Sequence, residues 1–106
     1  IDVVALSLGA GNWLVYGSFV LSTGTGTMTG LRGWTSTTSA TEPTRPQGGM
    51  VLMQGLSVPG GTDFVLSVGA TRFSLAATTN VFLTARQDGS TGSPVVYGDI
   101  YAIRLP

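Results

Sequence analysis

Cysteine, histidine and lysine are all missing from this 106-residue chain, and charged residues make up only 9% of it. Each absence removes a class of chemistry. Without Cys there are no disulfides and no thiolate nucleophile, and redox compartment cannot be read. Without His there is no Ser-His or Cys-His pair and none of the usual zinc ligand sets. Without Lys there is no Schiff base and no phosphate-loop ammonium. The charged fraction falls far below the quarter that is usual in soluble domains, so solubility rests on Thr, Ser, Asn and Gln. Five arginines balance five carboxylates. A net charge of zero supplies no field to steer nucleic acid or an anionic membrane toward the chain, and it does little to oppose self-association. The apolar runs are too short to span a bilayer. The stretch from Ile1 lacks the n-region and h-region of a signal peptide. A chain opening on Ile rather than Met is expected to be the C-terminal part of a longer, processed one.

What is present reads as β structure. Hydrophobic residues reach 42%, enough for one domain over 1–106 with one core. Sixteen glycines and five prolines punctuate short apolar segments. Those segments are rich in β-branched and aromatic residues, the strand pattern. Strands are expected near Val3–Leu8, Trp13–Ser22, Met28–Thr37, Met50–Gln54, Phe64–Ser67, Arg72–Leu75, Asn80–Gln87 and Val95–Leu105. About eight short antiparallel strands suit an all-β, two-sheet jelly-roll sandwich.

Two strands carry apolar residues on both faces. Trp13, Val15, Phe19 and Leu21 share one side of the second strand, and Leu14, Tyr16 and Val20 share the other. In the last strand Val95, Tyr97, Tyr101, Ile103 and Leu105 oppose Val96, Ile100 and Ala102. Such strands need two covers. The second is either a neighbouring subunit or the chain's own loops. The subunit reading predicts a homotrimer, with Tyr16, Tyr97 and Tyr101 at the contact.

Catalytic groups are scarce. The carboxylates are Asp2, Glu42, Asp63, Asp88 and Asp99. No spacing fixes two of them across a sugar cleft. Asp63 and Asp88 stand in turn sequences, where Asp supports turn geometry. Calcium at Asp88 would lack the acidic repeat of a calcium loop. The Gly-rich stretches at Gly9–Gly11 and Gly24–Gly26 read as turns rather than nucleotide loops. No metal, cofactor or enzymatic activity is expected. Asp99 sits between two tyrosines inside a strand, where a lone carboxylate is costly. Arg86 or Arg72 is the expected partner, within one subunit or between two; a ligand contact is the alternative. Trp34 precedes the longest irregular segment, Ser39–Gly49. With Glu42 and Arg45 it would form a sugar-stacking site with a polar rim; core packing is the other reading of Trp34.

Three stretches resemble a known family. Gly11–Phe19, with its Gly-x-aromatic-x-aromatic pattern, is similar to a strand of complement/tumour-necrosis-factor-like jelly rolls. Leu75–Leu83 resembles their Leu, polar turn and Val-x-Leu strand, and Tyr97–Leu105 their closing aromatic-Gly strand. Together with Ser36–Thr41 and Thr71–Leu75, these are similar to C-terminal domains of phage and prophage tail-fibre or virion-surface proteins. The resemblance implies a trimeric head at the virion surface, with binding loops at its tip for a host-surface glycan or protein. A structural virion module without a host ligand, such as a capsid decoration or collar protein, is the alternative. An envelope-degrading hydrolase with carboxylates at subunit junctions is a third reading. Nucleic acid and membrane insertion are not expected.

Overall fold

The structure is a computed structural model that describes residues 1–42, 50–89 and 94–106. Seven strands occupy most of it: β1 (Asp2–Leu8), β2 (Gly11–Ser22), β3 (Met28–Ser36), β4 (Val51–Val58), β5 (Asp63–Leu75), β6 (Thr79–Asp88) and β7 (Val95–Arg104). All pair antiparallel. They form a four-stranded sheet in the order β1-β6-β3-β4 and a three-stranded sheet in the order β5-β2-β7. The all-β, two-sheet expectation holds.

The count is seven rather than eight because the expected strands at Phe64–Ser67 and Arg72–Leu75 are one. Between them Gly69 and Ala70 form a bulge opposite Tyr16, where the register with β2 shifts. A bulge absorbs an extra residue without ending the strand, so the small residues that looked like a turn only bend β5. At the N-terminus, the Ile1 ammonium donates to the Ala85 carbonyl at 2.9 Å and the Ala85 amide returns a bond to Ile1.

The period-two alternation of β2 decides where the core lies. Val15, Phe19 and Leu21 point inward and are buried, Phe19 and Leu21 clustering with Leu31, Leu83 and Ala85 of the other sheet. Leu8, Val15 and Val81 fill the opposite end, with Trp13 and Phe73 packed against them. The two sheets approach closely at Gly33. A Cβ there would lie 2.5 Å from the Phe19 ring, and Phe19 is itself only 1% exposed.

Five of the six connections cross from one sheet to the other; only β3–β4 stays within a sheet. β2 is therefore central in its sheet, bonded to β5 on one side and β7 on the other.

The Gly33–Phe19 contact yields a test. Gly33→Ala overpacks a ring with no free space around it and should cost about 1–3 kcal/mol in denaturant unfolding. Adding Phe19→Leu should recover part of that loss, so the double variant is less destabilised than the sum of the two singles.

Candidate functional site

The described residues among those singled out in the sequence fall on the two outer faces of the sandwich, and the two faces are finished in different ways.

On β3, Gly33 faces the core and Trp34 therefore faces out. Trp34 pairs across to Thr84 on β6. It is nevertheless only 3% exposed, because the chain after β3 folds back over it. The indole Nε1 donates to the Thr41 carbonyl at 2.9 Å. Asp2 pins the same loop from β1. It accepts the Ser39 hydroxyl, the Ala40 amide at 2.8 Å and the Thr84 hydroxyl at 2.8 Å. Burial by itself would raise the Asp2 carboxyl, but those three donors and the nearby N-terminal ammonium hold it below its ordinary value.

Beyond Trp34 the register sets Arg32 directly opposite Arg86. Like charges across a strand pair repel, and two carboxylates answer them. Glu42 accepts from Arg32 at 2.7 Å and lies 3.6 Å from Arg86. Asp88 lies 3.1 Å from Arg32 and 3.0 Å from Arg86. The hydrogen bond to Glu42 is the largest influence on Arg32, and it raises the guanidinium above its ordinary value against the opposing effect of burial.

This arrangement corrects three expectations. Trp34 offers no open indole face to a sugar; it is buried, as the core-packing reading expected, with its indole bonded to its own loop. Glu42 is committed to two arginines, and Arg45 lies outside the described residues. Arg86 pairs with Glu42 and Asp88, not with Asp99, which stands on β7 in the opposite sheet. Asp88 does more than shape a turn, since it closes the charge cluster. The cluster was hidden in the sequence because it depends on register. Its four members span positions 32 to 88, and nothing in their spacing announces that Arg32 meets Arg86. Among the described residues, no group of three or more acidic side chains could hold a metal ion.

Among the described residues, the outer face of β5-β2-β7 has no such cover. Leu14, Tyr16, Ser18 and Val20 of β2 are flanked by Ile103, Tyr101, Asp99 and Tyr97 of β7. On the other side Val20 meets Val65, Ser18 meets Ser67 and Leu14 meets Arg72. Val65 is 76% exposed, Tyr97 68% and Ile103 52%. Tyr16 and Tyr101 stack with ring centroids 5.4 Å apart. All three tyrosines expected at a subunit contact thus share one open face. Near its middle lies a depression of about 130 Å³, walled by Val20, Val65 and Tyr97, with Ser18 and Asp99 as its polar side. Asp99 is exposed and has no ion pair within the described chain.

One end of β7 is tied down. Arg104 donates to the Ala10 carbonyl at 2.7 Å and lies over the Trp13 ring at 5.1 Å, while Trp13 donates to the Gly9 carbonyl. This clasp joins the β1–β2 connection to the last strand.

Comparison with known protein families, with curated proteins and with solved structures gave no match.

Two measurements probe the covered face. Glu42→Gln removes a carboxylate shared by two arginines. It should cost about 1–2 kcal/mol, less than a fully buried pair because solvent screens the partly exposed groups, and should shift Trp34 fluorescence to the red. The second test is acid stability. The folded Asp2 carboxyl titrates below its ordinary value of 3.8, so the unfolded chain binds more protons in that range. The stabilisation is full above 3.8 and is lost as pH falls through the folded value. Asp2→Asn should therefore show a smaller loss of stability than wild type between pH 5 and pH 3, roughly the range spanning that titration.

Proposed function

We propose that this chain is a self-assembling β-sandwich module that acts by association rather than catalysis. The observation that carries the reading is the outer face of β5-β2-β7, where Tyr16, Val65, Val95, Tyr97, Tyr101 and Ile103 are all exposed. A contiguous apolar sheet face of this kind marks a protein contact, and three wedge-shaped sandwiches around an axis would cover it. The homotrimer is the assembly implied by the resemblance to phage and prophage fibre or virion-surface domains. That setting, at the virion surface, comes from the resemblance alone. The jelly-roll form of the sandwich belongs to the same proposal; its support is that five of the six connections pass between the sheets.

Between a receptor-binding head and a structural module of the virion, the arrangement of side chains favours the structural module. The expected sugar site at Trp34 is closed by its own loop, and the carboxylate beside it is engaged by Arg32 and Arg86.

The test is the mass of the chain in solution. Light scattering at micromolar concentration should give three times the chain mass. Tyr97→Asp, which places a charge on the exposed face without touching the core, should release folded monomer. A wild-type monomer would overturn the proposal.

A further inference from the structure

We infer that Arg72 and Asp99 form an ion pair between neighbouring copies of this chain, across the outer face of β5-β2-β7. The inference rests on the reading of that face as a subunit contact and names the polar groups that would set its register.

The chain has few charges, and the described ones are nearly all accounted for. Arg32, Arg86, Glu42 and Asp88 neutralise one another. Asp2 is hydrogen-bonded to the loop, Asp63 accepts the Ser22 hydroxyl, and Arg104 is held by Ala10 and Trp13. Among the described residues, Arg72 and Asp99 are the two charged side chains left without a hydrogen bond or ion pair. They have opposite signs, and they lie on the same face.

They cannot satisfy each other within one chain. Arg72 is opposite Leu14 and Asp99 opposite Ser18, four positions along β2. That is about 13 Å along the strand, and β2 itself separates the two flanking strands by about 10 Å. The resulting separation of about 16 Å exceeds what an Arg and an Asp side chain span together. A shared axis that the strands cross obliquely, close to perpendicular to the line from Arg72 to Asp99, sets the two residues at one height; around it the β5 flank of one sheet faces the β7 flank of the next, and the Arg72 of each copy approaches the Asp99 of its neighbour.

The surroundings of Asp99 suit a guanidinium. Asp99 lines the depression of about 130 Å³, with Val20 and Val65 as apolar walls and Tyr97 as an aromatic one. An arginine entering there gains a charge-assisted hydrogen bond to Asp99 and a cation–π contact with the ring. In an assembled face that excludes water, a lone Asp99 would be costly, whereas a paired one fixes register and suppresses misaligned contacts. The occupant implied by this charge pattern is a second copy of the same chain, since its complement is already present on the face.

The experiment is a charge swap read by sedimentation velocity over a concentration series. Arg72→Asp and Asp99→Arg are each expected to weaken association by about tenfold or more. The double variant, which restores opposite signs across every contact, is expected to assemble nearly as tightly as wild type. Both positions are exposed, so circular dichroism should report folded chains; Arg72→Gln and Asp99→Asn provide gentler versions, expected to weaken association less. Wild-type association should also fall as salt is raised through the range that screens exposed charges. Single reversals that assemble like wild type, or a double variant no tighter than the weaker single, would overturn the pair while leaving the assembly in place. A monomeric wild type would overturn both.

Discussion

A three-stranded sheet with apolar side chains on both faces can hide only one of them against the sheet it packs on. This constraint shapes most of what is distinctive here. The inner face of β5-β2-β7 supplies Val15, Phe19, Leu21 and Val68 to the core. Its outer face is left with tyrosines and branched aliphatics in the open, and each such group would gain on the order of 1.5–3 kcal/mol from being covered. The four-stranded sheet meets the same problem by a different route. Its outward Trp34 is roofed by the chain's own loop, and the loop is fastened by Asp2 at one side and Glu42 at the other. One face is closed from within and the other is left exposed.

The difference in polarity between the two faces follows. Where the cover is intramolecular, its geometry is determined by the chain, so a cluster of four charges can be satisfied in place. Where no such cover is supplied by the chain, charged groups are few. On the open face the polar groups are few: Ser18 and Ser67 beside Arg72 and Asp99, and Asp63 with Ser22 at one end, amid aromatic and aliphatic side chains.

Much of the fold was legible in the residues. Alternation in Trp13–Ser22 and Val95–Leu105 identified both the strands and which side chains share a face, because a strand's side chains simply alternate. Grouping Tyr97 with Tyr101, and separately placing Tyr16 on the face away from Phe19, needed nothing more. What escaped was information that lives in register and in long loops. Gly69 and Ala70 looked like a break because a bulge and a turn draw on the same small residues. Of the two readings of Trp34, the buried one holds and the surface platform does not, but the cover comes from an unexpected side. An outward-facing indole becomes buried only when a loop returns over it, and local periodicity carries no signal for that. Arg32 and Arg86 face each other for the same kind of reason, since cross-strand partners are chosen by the fold as a whole.

The strand order also sets a schedule. β1 and β3 bond to β6, and β2 bonds to β5 and β7; apart from β3–β4, every ladder joins the first half of the chain to the second. During synthesis the N-terminal strands therefore emerge with their hydrogen-bonding edges unanswered, and neither sheet can be completed until the final segments have left the ribosome. Pairing over such sequence separations is slow compared with hairpin closure, and unpaired apolar strands invite aggregation in the interval. The arrangement carries its own safeguard. Tyr97 and Tyr101 reside on β7, which follows the other six strands in this sequence, so the outer face of β5-β2-β7 gains them only after the strands of the opposite sheet have been made.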